Sequence, residues 1–168
     1  MYMVTILYMK TPLYYATINN KFDATVLLLD SGASMNYIKI MGDIIEISSR
    51  RGYINIVKLL IERGLHKINS VNRYHSIRLA ILARNISMVK LLVGTFGDIV
   101  IINGPPRDHI YHTWDVVSII RNACNKNDID LIRGLIDAGM KFNYFRNDLI
   151  SDMRKKGKHK LVQLLTEV

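Results

Sequence analysis

Apolar residues fall along this chain in short clusters separated by polar turns, and the clusters recur at a nearly constant interval. Val26-Leu27-Leu28, Val57-Lys58-Leu59-Leu60, Val89-Lys90-Leu91-Leu92, Ile132-Arg133-Gly134-Leu135 and Val162-Gln163-Leu164-Leu165 fill similar slots. Polar residues lie between or beside them, which is the one-sided stripe of an amphipathic helix. Upstream of each stripe lies another helical segment, whose inner position holds Ala16, Ser48, Ala80 and Ala123 in turn. A small side chain there lets two antiparallel helices approach closely. Met153 takes that position in the fifth segment and predicts looser packing.

Turn residues punctuate the same pattern. Gly32, Gly64 and Gly139 follow the second helices, where a left-handed residue ends a helix at little steric cost. Asn20, Gly52, Asn127 and Gly157 fall between paired helices and tolerate positive φ. Arg84 holds that slot in the third unit and is the one departure. Anchored at Thr11, the units restart at Asp43 and His75, each 32 residues on, then at Ser118 after 43 and Asp148 after 30. A recurring unit that cannot bury its apolar face alone implies a stacked array, hence a binding scaffold and not a pocketed enzyme.

Thr11-Pro12-Leu13-Tyr14-Tyr15-Ala16, followed by Val26 to Asn36, carries the fullest unit, and a period near 33 with two short helices resembles the ankyrin repeat family. Tyr14 stands where His is usual. The Thr-Pro-Leu opening is replaced elsewhere by Asp43-Ile44-Ile45, His75-Ser76-Ile77, Ser118-Ile119-Ile120 and Asp148-Leu149-Ile150. The resemblance implies an all-α fold, an ankyrin-repeat α-solenoid of about five helix–turn–helix repeats with hairpin-like finger loops. Residues 1–168 then form a single domain. Residues 1–10 are an apolar cap, the repeats lie near 11–42, 43–74, 75–98, 118–147 and 148–168, and 99–117 is an inserted long finger loop. Degenerate repeats rich in Ile, Asn, Lys and Tyr are similar to those of large DNA viruses and some intracellular bacteria, which suggests a host-interaction factor. The segment Leu161-Val162-Gln163-Leu164-Leu165 is not F-box-like, so a ubiquitin-ligase adaptor is not expected.

Charge changes the picture next. Among 168 residues, 23 are basic and 14 acidic, giving a formal charge of +9. That excess favours acidic partners, whether protein surfaces, nucleic acid or anionic lipid, without choosing among them. Cys124 is the single cysteine, so no internal disulfide forms. A reducing, intracellular setting is expected, cytoplasmic with the nucleus as the alternative. No uninterrupted apolar run reaches the roughly 18–20 residues of a membrane span. Met1 to Met9 is apolar but lacks a basic leader and a small-residue cleavage site. It reads as a lid over the first repeat, or as a patch for self-association.

Catalytic and metal chemistry find little support. Asp108, His109, His112 and Asp115 cluster, but at no recognised zinc spacing and with no Cys pair. Cys124 follows Ala123 inside a first helix and reads as a buried apolar residue. Gly157-Lys158 lacks the remainder of a phosphate loop. No cofactor, metal or catalytic residue is expected, and the chain reads as no enzyme.

Binding is where the resemblance leads. In ankyrin repeats the partner lies against the concave face, formed by the fingers and the exposed side of the first helices. Slot by slot this gives Ile18, Asn19, Arg50, Arg51, Leu82, Ala83, Asn125, Lys126, Lys155 and Lys156. Finger tips are expected at 39–41, 72–74 and 144–146. The candidate partner-binding residues are Arg50, Arg51, Arg73, Tyr74, Lys126, Tyr144, Phe145 and Arg146, joined by Arg107, Tyr111 and Trp114 of the insertion, residue types enriched at interface hot spots. Trp114 serves equally well as packing between units three and four. The leading expectation is a non-catalytic scaffold for an acidic protein surface. The alternative is nucleic-acid binding along the basic stripe, with Tyr74, Tyr144 and Phe145 stacking on bases. Lys58, Lys90 and Arg133 on second helices argue that part of the charge is merely solvated.

Overall fold

A computed structural model describes residues 11–34, 38–64, 70–97, 113–142 and 145–167, and among them it contains ten helices and no strand. These are α1 (Pro12–Ile18), α2 (Phe22–Asp30), α3 (Ile38–Arg51), α4 (Ile54–Glu62), α5 (Ser70–Leu82), α6 (Ile86–Phe96), α7 (Thr113–Asn125), α8 (Ile129–Asp137), α9 (Arg146–Lys155) and α10 (His159–Thr166). The described residues agree with the expected all-α class.

The helices start and stop for local reasons. Thr11 caps α1 by accepting the Tyr14 amide at 3.2 Å, with Pro12 in the first turn where no amide is needed. Asn85 caps α6 through the Met88 amide at 3.0 Å, and Asp128 caps α8 through the Leu131 amide at 3.2 Å. All five turns inside the pairs use one geometry. Asn20, Gly52, Arg84, Asn127 and Gly157 have φ of 56°, 75°, 56°, 57° and 67°. The next residue in each turn donates its amide to the carbonyl of Ala16, Ser48, Ala80, Ala123 or Met153, at 2.8–2.9 Å. The repeat read from the sequence therefore returns as one backbone hydrogen bond formed five times, and Arg84 obeys it despite its side chain.

Packing follows the same order. The first helices touch in the sequence α1, α3, α5, α7, α9, the second helices in the sequence α2, α4, α6, α8, α10, and the two members of each pair touch each other. The small inner residues Ala16, Ser48, Ala80 and Ala123 are buried, and Met153 is buried as well. Val57, Leu60, Val89, Leu92, Ile132, Leu135, Leu161 and Leu165 bury the stripes of the second helices. Leu27 of the first stripe is instead 67% exposed, since α2 has a second-helix neighbour on one side only among the described residues.

Three expectations are corrected. Residues 39–41 and 72–74 are not finger tips, because α3 begins at Ile38 and α5 at Ser70. Ile38, Met41, Ile45 and Ser48 keep helical spacing through the supposed loop, as do Tyr74, Ile77 and Ile81, and no proline interrupts either run. The inserted loop at 99–117 ends early, since α7 starts at Thr113. The first helices of units two, three and four thus begin about five residues before their sequence anchors, the length that the anchors Asp43, His75 and Ser118 left out.

Candidate partner-binding face

The first helices lie side by side, and among the described residues no other helix covers one of their faces. In α1, Tyr15 is 51% exposed and Ile18 half-buried; in α3, Ile47 is half-buried and Arg50 exposed; in α5, Leu79 is half-buried and Leu82 is 50% exposed. In α7 and its turn, Asn122, Asn125 and Lys126 are exposed, and in α9 so is Lys155. These positions recur at intervals of three and four, so they form one row per helix opposite the buried row.

Where this face meets the turns, basic side chains tie the first pair to the second, the third to the fourth and the fourth to the fifth. Arg51 donates from Nη1 to the Ile18 carbonyl at the end of α1, at 2.7 Å. Arg84 grips Asp128 with both guanidinium arms, Nη2 reaching Oδ1 at 3.0 Å. Lys158 donates Nζ to the Cys124 carbonyl at 3.0 Å and to that of Asn125. Lys156 donates to Asn125 Oδ1 at 2.7 Å and to Asp152 Oδ2 at 2.8 Å. Arg51 and Lys158 meet free carbonyls at a helix C-terminus and the negative end of its dipole, whereas Arg84 meets the carboxylate that caps the N-terminus of α8.

The titrations follow from these contacts. The hydrogen bond from Arg84 holds the Asp128 carboxyl below its ordinary value, and the same bond raises the Arg84 guanidinium. Lys156 likewise lowers Asp152. Burial pushes the Cys124 thiol up to about 11, which leaves it protonated and a poor nucleophile at neutral pH. Among the described residues no group of three or more His, Cys, Asp or Glu side chains could hold a metal ion. No described helix is long and apolar enough to cross a membrane. An open cleft of about 660 Å³ between α8 and α10 is lined by Asp128, Asp130, Arg133, Lys160, Gln163 and Glu167, on the opposite side from the row of first helices.

The candidate residues divide under this geometry. Arg50, Arg51 and Lys126 all lie along the turn edge, the two arginines in pair two and Lys126 two pairs further on. Arg73 and Arg146 sit at the starts of α5 and α9, at the far ends of their helices. A 13-residue helix such as α5 is about 20 Å long, so the single basic stripe becomes two separate ends. Arg73 is half-buried with its guanidinium 5.2 Å from the centre of the Phe96 ring. Tyr74 is a correction: it is 2% exposed, and its hydroxyl accepts the Val116 amide at 3.1 Å, which pins α5 to α7. Its spacing to Ile77 and Ile81 is the core signal that placed it there. Phe145 is half-buried with its ring 5.7 Å from that of Phe142, and Arg146 is half-buried too. Arg107, Tyr111 and Tyr144 lie outside the described residues, as does the side chain of Trp114. Sequence reasoning missed Tyr15, two residues after Leu13 and so turned away from the core, and it missed the Arg84–Asp128 pair. Asp128 directly before the Ile129-Asp130-Leu131-Ile132 run is an N-cap signal that could have found it. Compared with family models, with curated proteins and with solved structures, the chain has no match in any of the three.

Proposed function

We propose that this chain is an ankyrin-like repeat scaffold that binds a partner protein through the free face of its first helices. The observation that carries the reading is the row formed by α1, α3, α5, α7 and α9, each with at least one exposed outward position among the described residues. A series of parallel helices with variable outward residues makes a broad surface suited to a macromolecule. The reading needs no catalytic group, and the cytoplasm suits a chain with one buried thiol. Nucleic-acid binding is the weaker alternative: of its three stacking candidates Tyr74 is buried and Phe145 packs on Phe142, while Tyr144 lies outside the described residues.

The test is photo-crosslinking in cell lysate. A benzophenone amino acid placed at Leu82, on the free face, is expected to capture a discrete protein. The same group at Lys90, exposed on α6, is expected to capture none. Equal capture at both positions, or adducts with nucleic acid alone, would refute a dedicated protein-binding face.

A further inference from the structure

The second helices pack on one another through a contact that repeats along the array. Their positions can be counted from the left-handed turn residues Asn20, Gly52, Arg84, Asn127 and Gly157. The side turned toward the following pair holds positions two and nine. Ile86 of α6 lies against Gly134 of α8, where an added Cβ would meet its side chain at 2.9 Å, and Val93 lies 3.8 Å from the place of a Cβ on Gly139. The two contacts advance together along both segments, so the helices run parallel. The side turned toward the preceding pair holds positions four and seven. These are Ile56 and Leu59, Met88 and Leu91, Leu131 and Gly134, and Leu161 and Leu164, all buried or half-buried.

The outer sides of α2 and α10 differ in chemistry. Positions two and nine of α10 are His159 and Thr166, both exposed. In α4, α6 and α8 the same positions are Ile54 and Ile61, Ile86 and Val93, and Ile129 and Ile136. The outer side of α10 is thus polar, as a solvent-facing surface of a repeat array requires. On α2, positions four and seven are Ala24 and Leu27, both exposed. Leu27 is 67% exposed, whereas Leu59 at the same place in α4 is 7% exposed. α2 keeps the apolar side that every later second helix buries, and no described helix covers it.

We propose that this side of α2 binds an amphipathic helix of another protein, laid parallel to α2 and presenting two aliphatic residues seven apart. The interface is continuous with the one already formed inside the array, and that selects the occupant: positions four and seven of α6, α8 and α10 each face a second helix with aliphatic residues at positions two and nine. Seven residues are close to two helical turns, so such a pair shares one face. A second copy of this chain does not match. The free outer side of its α10 carries His159 and Thr166, and two α2 sides brought together would oppose positions four and seven to each other, which no junction in the array does. Residues 1–10 are too short to supply the helix. The shortest connections from a second helix to the next first helix, 31–37 and 63–69, take seven residues, which would leave four ahead of Pro12, about one turn. The surface is separate from the face of the first helices and does not depend on its role.

The experiment labels the full chain carrying Ala24→Cys with a water-soluble maleimide. Cys124, the single native cysteine, is buried, so the new thiol reports alone. Without peptide it should react at the rate of a freely exposed thiol. The probe is an alanine-rich helical peptide of about 15 residues, long enough to hold helix in water, with two Ile seven apart. It should slow labelling about tenfold at about ten times its dissociation constant. The same peptide with its Ile five apart places them on different faces and should give no protection. Leu27→Asp should abolish the protection and leave the melting temperature unchanged, since that side chain is exposed. Protection by both peptides, or by neither at about 1 mM, overturns the proposal. So does a thiol that is slow without peptide: if dilution speeds it, a second copy covers α2, and if replacing residues 1–10 by Gly and Ser speeds it, the chain covers itself. The crosslink at Leu82 tests the first-helix face separately, so either reading can fail without the other.

Discussion

Two neighbouring junctions, at Gly52 and at Arg84, reach the same left-handed turn by different chemistry. At the first, φ is 75° and the Asn85 side chain of the next pair lies directly against the Gly52 backbone. A Cβ at Gly52 would collide with that amide. At the second, φ is 56° on an arginine, and its side chain reaches across to Asp128, the residue that caps the next second helix. Asn85 and Asp128 occupy the same place in their units. One junction closes by removing a side chain so that the next cap can approach, and the other closes by extending a side chain to meet it. The fourth junction adds another variant, in which Lys158 reaches back to the carbonyls at the end of α7.

Breaking the first junction should cost most. Gly52→Ala forces a Cβ into left-handed backbone and displaces the cap of α6. These effects together are about 2–3 kcal/mol. Thermal unfolding should then start roughly 5–10 °C lower. A variant that melts with the parent would show that the Asn85 contact sets nothing.

Asp128→Ala comes next. It removes the cap of α8, about 1 kcal/mol, and also frees Arg84. It should also change the acid branch of stability. The folded carboxyl lies below its ordinary value of 3.8, so its contribution is fully present above that value and disappears as pH falls through the lower folded one. The parent should therefore lose stability more steeply than the variant below about pH 4. Parallel acid profiles in urea titrations would contradict this. Lys158→Met, which keeps most of the apolar stem, should cost only about 0.3–1 kcal/mol, the range for a cation at a helix C-terminus.

How much of this was legible beforehand follows from the physics of each position. Four of the five turns were readable because Gly and Asn announce positive φ locally, and the small inner residues announce close helix approach. The starts of α3, α5 and α7 were not, since the anchors were fixed at Asp43, His75 and Ser118 while the apolar spacing continued upstream of them. Tyr74 looked like a surface aromatic next to Arg73, yet it belongs to the buried stripe of α5. Arg84 looked like a defect because the residue that justifies it is 44 positions away. Of the candidate face, Arg50, Arg51 and Lys126 stood out as turn-edge cations. Which of them are free was invisible, because the Ile18 carbonyl that engages Arg51 lies in another unit.

The smallest effect carries the sharpest argument. Arg84→Gly relieves a non-glycine residue of left-handed backbone, which favours the folded state, but it also loosens the unfolded chain and removes the grip on Asp128. The pair is largely exposed on the arginine side, so salt screens it. The opposing terms should nearly cancel, leaving the midpoint within about 2 °C of the parent at moderate salt. The diagnostic lies in the differences. Raising the salt should move the parent toward the variant, and the acid branch of the variant should follow that of Asp128→Ala, because without the guanidinium the carboxyl loses the main cause of its lowered value. If Arg84→Gly instead destabilises as much as Gly52→Ala, the ion pair itself sets the junction. If its acid branch stays that of the parent, then the capping bond from Leu131 alone holds the carboxyl down and Arg84 adds nothing to it.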